Sequence, residues 1–239
     1  MQKIIAVVTL LMLACAGTAA GASEATVRAA LQKKYPDIAI ENVNKTPLAG
    51  IYEVFANGQL IYTDENAAYL FVNASLIDTD KKANLTEERM NRLTAIKFDQ
   101  LPLNLAFKKV KGKGTRKLAY FGDPNCGYCK RFEQDLAKID DVTVYVFLYP
   151  VLGPDSLEKA KSIWCSKDRA KAWDDQMLNG NAPTAAGTCD TPIEKIVAFG
   201  RQKNISGTPT MFFADGVRVP GAIPADQIEQ RLAAAAQTK

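Results

Sequence analysis

The sequence predicts two domains of mixed helix and strand: a small α+β domain followed by a larger α/β domain with a helical insertion. After one short helix, residues 38–77 contain short β-forming stretches separated by turn residues. Further on, a buried strand at 118–121, an amphipathic helix and a near-continuous apolar strand at 142–149 form a β-α-β unit. The polar stretch 78–84 lies between these regions and predicts the domain boundary.

The first 22 residues have the pattern of an export signal. Lys3 gives a positive start, residues 4–16 form an apolar run too short to span a bilayer, and Ala20-Gly21-Ala22 fits a cleavage site. We therefore expect an exported protein that is cleaved near Ala22. A lipoprotein signal that uses Cys15 is the alternative, although residues 12–14 match a lipidation motif poorly.

The composition of the mature chain limits the classes of function that we expect. Residues 23–239 comprise 217 residues, enough for two small domains with buried cores. They carry 29 basic and 26 acidic side chains, a net charge of +3, and no segment suited to nucleic acid, so we expect no nucleic-acid partner. Four cysteines remain, and an even number in an oxidising compartment favours disulfides.

The N-terminal domain is assigned to residues 23–82. A helix is predicted from Ala25 to Lys33, and Asn57-Gly58 predicts a hairpin turn because both residues tolerate positive φ. This region has no histidine, no cysteine and no clustered carboxylates, so we expect it to serve binding or assembly. Strands are predicted around residues 38–43 and at Gly50–Phe55, Gln59–Thr63, Ala68–Val72 and Ser75–Ile77.

A linker helix is predicted over residues 83–99. Asn84 followed by Glu87 resembles a capping box, and apolar residues then repeat along one stripe as far as Ile96. Alternating apolar residues next predict a strand over 101–107. The six basic residues at 108–117 are interpreted as a solvated hairpin tip, with a nucleic-acid patch as the alternative.

The C-terminal domain is assigned to residues 100–239, with a helical insert at about 154–190. Its order of elements, β-β-α-β, helical insert, α-β-β-α, predicts a thioredoxin fold with an insertion when it is taken together with the cysteine motif described next. The elements after residue 149 are helices at Leu157–Trp164 and Ala170–Leu178, a helix begun by Thr191 and Pro192 with a capping Glu194, a hairpin of Met211–Ala214 and Val217–Val219 around Asp215-Gly216, and a last helix opened by Pro224.

The motif Cys126-Gly127-Tyr128-Cys129 lies where a strand gives way to a helix. The helix start directs its amide groups and positive dipole end at the sulfur of Cys126, which favours the thiolate. Cys129 lies one helical turn further on and can attack a mixed disulfide formed on Cys126. The motif therefore predicts dithiol–disulfide exchange, with Cys126 as the nucleophile and Cys129 as the resolving thiol.

Two other roles for this pair are weaker. Half of a structural zinc site needs a second pair of ligands, but the chain has no histidine, and the other cysteines of this half, Cys165 and Cys189, lie far apart in sequence. We therefore expect no metal; a packing role is the second alternative. Cys165 and Cys189 enclose 23 residues around the helical insert and predict a structural disulfide, with two buried free thiols as the alternative.

Pro209, within Gly207-Thr208-Pro209-Thr210, comes directly before a predicted strand. Proline cannot donate to a β-ladder, so it is confined to the start of the strand or to a turn, where a cis bond is allowed. In a thioredoxin-like fold this loop adjoins the CxxC motif and leaves the Thr208 backbone free to pair with a substrate strand, so we predict a cis peptide bond. An ordinary proline at the start of a strand is the alternative.

Taken together, these features resemble the bacterial periplasmic disulfide isomerases of the DsbC type, in the DsbC/DsbG family of thioredoxin-like proteins. The resemblance covers the whole mature chain and rests on the export signal, the β-rich N-terminal module, residues 121–129, the later cysteine pair and Gly207-Thr208-Pro209. It implies a cystatin-like N-terminal dimerisation domain, a V-shaped homodimer, a periplasmic location and reduction by a membrane reductase of the DsbD type, with no cofactor. Lys130 is a departure, since family members can carry histidine there.

Two hypotheses of different classes follow. The first is a thiol:disulfide isomerase and reductase that acts on misfolded exported proteins, in which Gly127 and Tyr128 tune the reduction potential and Thr208 and Pro209 shape the substrate face. The second is a dimeric substrate-binding chaperone with narrow reductase activity of the DsbG kind. Holding activity that survives loss of Cys126 and explains all rescue of a substrate would favour the second.

Overall fold

The computed structural model describes residues 23–237, so the predicted export signal lies outside the described residues. The chain divides into two compact units after Ala74. Residues 75–82, which the sequence assigns to the first domain, belong with the second unit because Leu76 exchanges hydrogen bonds with Leu85 and Thr86. Within 23–237, no helix combines the length and the apolar character that crossing a bilayer requires.

The first unit is one helix packed on an antiparallel sheet, as the sequence predicts. Val27 and Leu31 of the helix share a core with Val43, Tyr52 and Val54 of the sheet. Asn57 and Gly58 both have positive φ and form the predicted turn. The elements are α1 (Glu24–Lys34), β1 (Ile40–Lys45), β2 (Ile51–Ala56), β3 (Gln59–Asp64) and β4 (Leu70–Phe71), with each strand paired to the next.

The second unit is built on a five-stranded sheet. Its elements are a ribbon of β5 (Ile77–Asp78) and β6 (Ala83–Asn84), then α2 (Leu85–Thr94), β7 (Phe107–Lys111), β8 (Arg116–Gly122), α3 (Gly127–Leu136), β9 (Val142–Leu148), α4 (Pro154–Cys165), α5 (Arg169–Leu178), α6 (Ile193–Gln202), β10 (Thr210–Phe213), β11 (Arg218–Pro220) and α7 (Ala225–Ala236). The strand order is β11-β10-β8-β9-β7. Among the neighbouring strands of this sheet, β8 and β9 are paired in parallel and the other pairs are antiparallel, which matches the predicted β-α-β unit.

Both faces of the central strands are buried, as the apolar run at 142–149 predicts. On β8, Leu118 and Tyr120 face a core that includes residues of α3, α4, α5 and α7. Ala119 and Phe121 face the opposite core, which includes Ile196 of α6 and apolar side chains from the segment 96–106. The sheet therefore fixes the end of β8, and with it the loop that leads into α3.

Two predictions between 100 and 117 are wrong. Residues 101–106 do not form a strand; they contain a 3-10 turn at Leu103–Leu105, because Pro102 lacks an N–H and its carbonyl accepts from Leu105 instead. The basic segment is not a hairpin tip either, since β7 and β8 lie on opposite sides of β9. Lys109 on β7 is also not solvated, because only 12% of its side chain is exposed.

The two predicted capping boxes have different outcomes. The side chain of Asn84 accepts a hydrogen bond from the Glu87 amide at 3.1 Å, as predicted for the start of α2. The box predicted for Thr191 and Glu194 is wrong. Pro192 occupies the N-cap of α6 and no side chain caps that helix; the fixed φ of proline is itself suited to a helix start.

Candidate active site

Cys126 is the N-cap residue of α3, directly after the loop that follows β8. Its sulfur accepts the amide N–H of Cys129 at 3.1 Å, in the way that an N-cap side chain normally satisfies an unpaired helix amide. The residue is only 4% exposed, so this hydrogen bond acts in a poorly hydrated setting. The structure therefore confirms the prediction that the motif lies at the start of a helix.

The pKa values of the two sulfurs of the motif are shifted in opposite directions. Hydrogen bonding from the Cys129 side chain is the largest effect that lowers the pKa of Cys126, and hydrogen bonds from the Thr208 side chain and from the amides of Cys129 and Tyr128 add to it. They outweigh burial, and the Cys126 pKa falls to about 6. Burial is the main cause that raises the pKa of Cys129 far above its ordinary value. At neutral pH the arrangement therefore holds a thiolate at Cys126 and a thiol at Cys129.

The loop before β10 lies against the motif. The Thr208–Pro209 peptide bond is cis, as predicted, and the Thr208 carbonyl lies 3.3 Å from the Cys126 sulfur. The loop is held at both ends, because the Thr210 hydroxyl donates to the Gly207 carbonyl and the Gly221 amide donates to the Pro209 carbonyl. Three predicted site residues, Cys126, Thr208 and Pro209, are thus brought together from positions more than 80 residues apart in sequence.

An aspartate that the sequence analysis missed joins the loop between β8 and α3 to a neighbouring apolar surface. Asp123 is fully buried, and its carboxylate accepts the amides of Asn125, Val151 and Leu152. It also accepts the hydroxyl of Ser156 at 2.8 Å. Val151 and Leu152 are both exposed. The available signal was the Asp-x-Asn pattern directly before the motif, which is typical of a side chain that organises a turn.

Tyr128 and Gly127, the two residues between the cysteines, lie at the surface. The Tyr128 side chain is 68% exposed. A Cβ added to Gly127 would meet no atom within 4 Å, so nothing packs closely over this part of the motif. The dipeptide therefore presents an aromatic ring and open space next to Cys126.

A cluster of buried charges lies on the inner side of α3, and the sequence analysis missed all of it. Glu133 is 1% exposed; the Tyr120 hydroxyl and the Trp173 indole N–H donate to one carboxylate oxygen, and Lys109 Nζ lies 2.7 Å from the other. Lys109 also pairs with Asp174. Burial and the Glu133 charge raise the pKa of Tyr120, which keeps its hydroxyl protonated. Burial works to lower the pKa of Lys109, but the two carboxylates outweigh it.

Cys165 and Cys189 form the disulfide that the sequence predicts. The S–S distance is 2.06 Å and the Cα atoms are 5.7 Å apart. The bond joins the last residue of α4 to the segment that precedes α6. The described free thiols are therefore Cys126 and Cys129.

Comparison with known proteins identifies similar sequences over both units. Residues 103–236 match the thioredoxin-like domain family, and residues 18–87 match the disulfide bond isomerase protein N-terminal domain family. The chain is 44% identical over 206 residues to the probable thiol:disulfide interchange protein DsbC of Bordetella parapertussis, covering 86% of this chain and 73% of that protein. It is 28% identical over 220 residues to the thiol:disulfide interchange protein DsbC of Escherichia coli, covering 89% of each.

A solved structure resembles part of the chain. The crystal structure of a disulfide interchange protein from Neisseria gonorrhoeae aligns with a TM-score of 0.55 and 41% sequence identity. The alignment covers 56% of this chain and 98% of that one. The likeness therefore concerns a little over half of the present chain.

Proposed function

The chain belongs to the DsbC family of thiol:disulfide interchange proteins, and from this premise we propose that Cys126 and Cys129 rearrange incorrect disulfides in exported proteins. One observation carries the assignment of roles: the sulfur at the helix start has a pKa of about 6, while its partner is buried with a raised pKa. A nucleophile must be ionised before it meets substrate, whereas a resolving thiol is needed only afterwards. Cys126 is therefore the nucleophile and Cys129 the resolving thiol.

The reaction begins when the Cys126 thiolate attacks one sulfur of a substrate disulfide. A mixed disulfide forms and the second substrate sulfur leaves as a thiolate. In isomerisation, that thiolate attacks another disulfide of the substrate, and the exchange ends when a substrate thiolate releases Cys126 with no net change in electrons. In reduction, Cys129 attacks the Cys126 sulfur instead, so the substrate leaves reduced and the enzyme pair leaves oxidised.

The surface around Cys126 supports binding of an extended, partly unfolded chain. The backbone of Thr208, next to the cis Pro209, adjoins the nucleophile and is the proposed site of strand pairing with the substrate. Tyr128, Val151 and Leu152 are exposed apolar side chains of the motif and of the loop tied to it through Asp123. Apolar residues that are buried in native exported proteins and exposed in misfolded ones are suited to this surface.

The proposed setting is the periplasm, with the export signal removed near Ala22 and the pair kept reduced by a membrane reductase of the DsbD type. We further propose a homodimer formed through the first unit. The match of residues 18–87 to the isomerase N-terminal family supports this, as does the short edge strand β4, around which Tyr69, Phe71 and Val72 are exposed. Sedimentation of the full chain and of a form that begins after residue 74 tests it, since only the full chain is expected to sediment as a dimer.

Refolding of a scrambled multi-disulfide protein tests the activity. Wild-type protein with a catalytic amount of thiol is expected to restore the native disulfides faster than the thiol alone. The matched variants are Cys126→Ser, which removes the nucleophile, and Cys129→Ser, which retains it. Isomerisation that persists in folded Cys126→Ser protein would overturn the assignment, whereas a larger loss of activity in that variant than in Cys129→Ser supports it.

A further inference from the structure

Resolution of the mixed disulfide poses a problem that Cys126 cannot solve. Cys129 must lose a proton before it attacks, yet it is fully buried and its pKa is raised. While substrate is attached, the Cys126 sulfur is in a covalent bond and is no longer a thiolate that could accept this proton. Bound substrate also covers the surface around Cys126, which limits access of water from that side. An acceptor inside the domain, behind Cys129, would meet this need.

Glu133 has the position that such an acceptor needs. It follows Cys129 by four residues on α3, so the two side chains lie on the same face of the helix, one turn apart. Both residues are almost completely buried. The hydroxyl of Tyr120 donates to the Glu133 carboxylate, and Tyr120 and Cys129 lie in the same buried cluster of the core, so the carboxylate and the sulfur share one buried environment.

The contacts of Glu133 extend from the buried side of α3 toward the surface. The carboxylate pairs with Lys109 of β7, which in turn pairs with Asp174 of α5. These three residues line a cavity of about 370 Å³, whose other lining residues include Leu136 and Val144. The side chain of Asp174 is 36% exposed, so the far end of the cluster reaches solvent. Neither cysteine of the motif lines this cavity, which gives a proton an outlet separate from the substrate face.

We propose that Glu133 accepts the proton of Cys129 during resolution and that Lys109 and Asp174 connect this carboxylate to solvent through the cavity. This rests on the proposed function of the cysteine pair. In the step, the proton of Cys129 passes to Glu133, the new thiolate attacks the Cys126 sulfur, and a Cys126–Cys129 bond replaces the bond to substrate. The substrate sulfur takes the electron pair and leaves as a thiolate. Glu133 then returns its proton to solvent.

Buried charge by itself could serve stability alone, so the test must separate chemistry from folding. Reduced protein is mixed in a stopped-flow instrument with one equivalent of 5,5′-dithiobis(2-nitrobenzoate), whose thiol product absorbs visible light. Attack by Cys126 releases the first thiol and resolution by Cys129 releases the second, so one experiment reports both steps. The first phase serves as an internal control for the integrity of the site.

For Glu133→Gln, we expect a first phase within about twofold of wild type and a second phase slower by about a hundredfold, within the usual contribution of a general base. The second phase should also become steeply dependent on pH, rising nearly tenfold per unit between pH 6 and 8, because hydroxide must replace the lost carboxylate. Glu229→Gln is the matched control, since Glu229 is an exposed carboxylate paired with Arg116. It should leave both phases unchanged.

Two outcomes would overturn the role of Glu133: a second phase at the wild-type rate in folded Glu133→Gln protein, or equal slowing of both phases, which is the result of a structural role. If that variant does not fold, Tyr120→Phe and Glu133→Asp replace it, and the proposal fails if neither slows the second phase selectively. Failure of the cysteine assignment looks different. It would appear as a first phase that survives Cys126→Ser, whatever Glu133 does.

Discussion

Two cysteine pairs lie in the α/β unit, and the less exposed pair is the one proposed to react with substrate. The Cys126/Cys129 pair is buried and reduced, yet it carries the proposed chemistry. The pair joined as a disulfide is nearer the surface, with Cys165 half-buried and Cys189 exposed. Exposure to solvent alone therefore does not indicate which pair carries the proposed chemistry.

The two pairs also differ in how far apart their cysteines lie in the sequence. Cys126 and Cys129 are three residues apart on one helical turn, so their bond closes a very small ring and adds little constraint to the unfolded chain. Cys165 and Cys189 are 24 residues apart, and their bond closes a loop that contains α5. In the proposed function, one pair exchanges bonds with substrate and the other restricts the unfolded state. In the experiments that follow, one cysteine pair is changed and the other serves as the reference.

The largest expected effect is that of Cys126→Ser. A hydroxyl at the helix start is a far weaker nucleophile toward sulfur than a thiolate, so the disulfide exchange rate should fall by a factor on the order of a thousand or more. Insulin reduction followed by turbidity measures this. The double variant Cys165→Ser/Cys189→Ser is the reference and should retain most of the exchange rate at a temperature where it is folded. Comparable losses in both proteins would contradict the division of roles.

Cys129→Ser should leave attack intact and remove resolution. Mixed disulfides between Cys126 and substrate then accumulate because no second thiol lies beside the bond. Non-reducing electrophoresis after mixing with a scrambled protein is expected to give adducts that disappear on reduction. The same gel with Cys189→Ser, which frees Cys165 near the surface, tells whether any exposed thiol produces adducts equally well. If it does, the trapping is not specific to the motif.

The sequence predicts the features that depend on neighbouring residues. The helix start at Cys126, the turn at Asn57-Gly58 and the proline at 209 all have local chemistry that restricts the backbone to few conformations. The two-sided burial of β9 is also predictable, because an apolar run of this length fits few other places in a fold.

The buried charges escape sequence analysis because their partners come from distant parts of the chain. Glu133 has an ordinary position in an amphipathic helix, and it becomes a buried carboxylate only through Lys109 and Trp173, which lie 24 and 40 residues away. Lys109 is one of six similar basic residues, and nothing local distinguishes it. The segment 101–107 fails for a different reason: its apolar alternation is real, but Pro102 prevents the ladder that the alternation suggests.

Removal of the Cys165–Cys189 bond should lower stability with little effect on chemistry. The loop-closure model gives about 3.5 kcal/mol for a loop of this length, or roughly a 350-fold change in the folding equilibrium. Urea unfolding of the double serine variant, compared with wild type under oxidising conditions, measures the difference. Reduction of the Cys126–Cys129 bond in the same assay is the reference. An equal or larger loss of stability there would reverse the assignment of the structural pair.

The smallest expected effect, and the most direct measure of the contrast between sulfurs, is the pH dependence of alkylation. The Cys126 pKa of about 6 means that half of this sulfur is thiolate at pH 6. An ordinary thiol with a pKa of about 8.5 is about 0.3% ionised there. A weakly basic thiolate is also a weaker nucleophile, by about tenfold over this range. Iodoacetamide should therefore modify Cys126 about fifteen times faster than an ordinary thiol at pH 6.

The direction in which the alkylation rate changes with pH is as informative as the size of the rate difference. The thiolate is the reactive form, so the rate should rise with pH through about 6 and become nearly constant above pH 7. Cys129 should remain unlabelled throughout, because it is fully buried and its pKa is raised. A cysteine in a short unstructured peptide supplies an ordinary profile, with its midpoint near 8.5. If peptide mapping gave Cys126 that same midpoint, the hydrogen bonds at the helix start would not be stabilising a thiolate, and the two pairs would differ only in whether they are bonded.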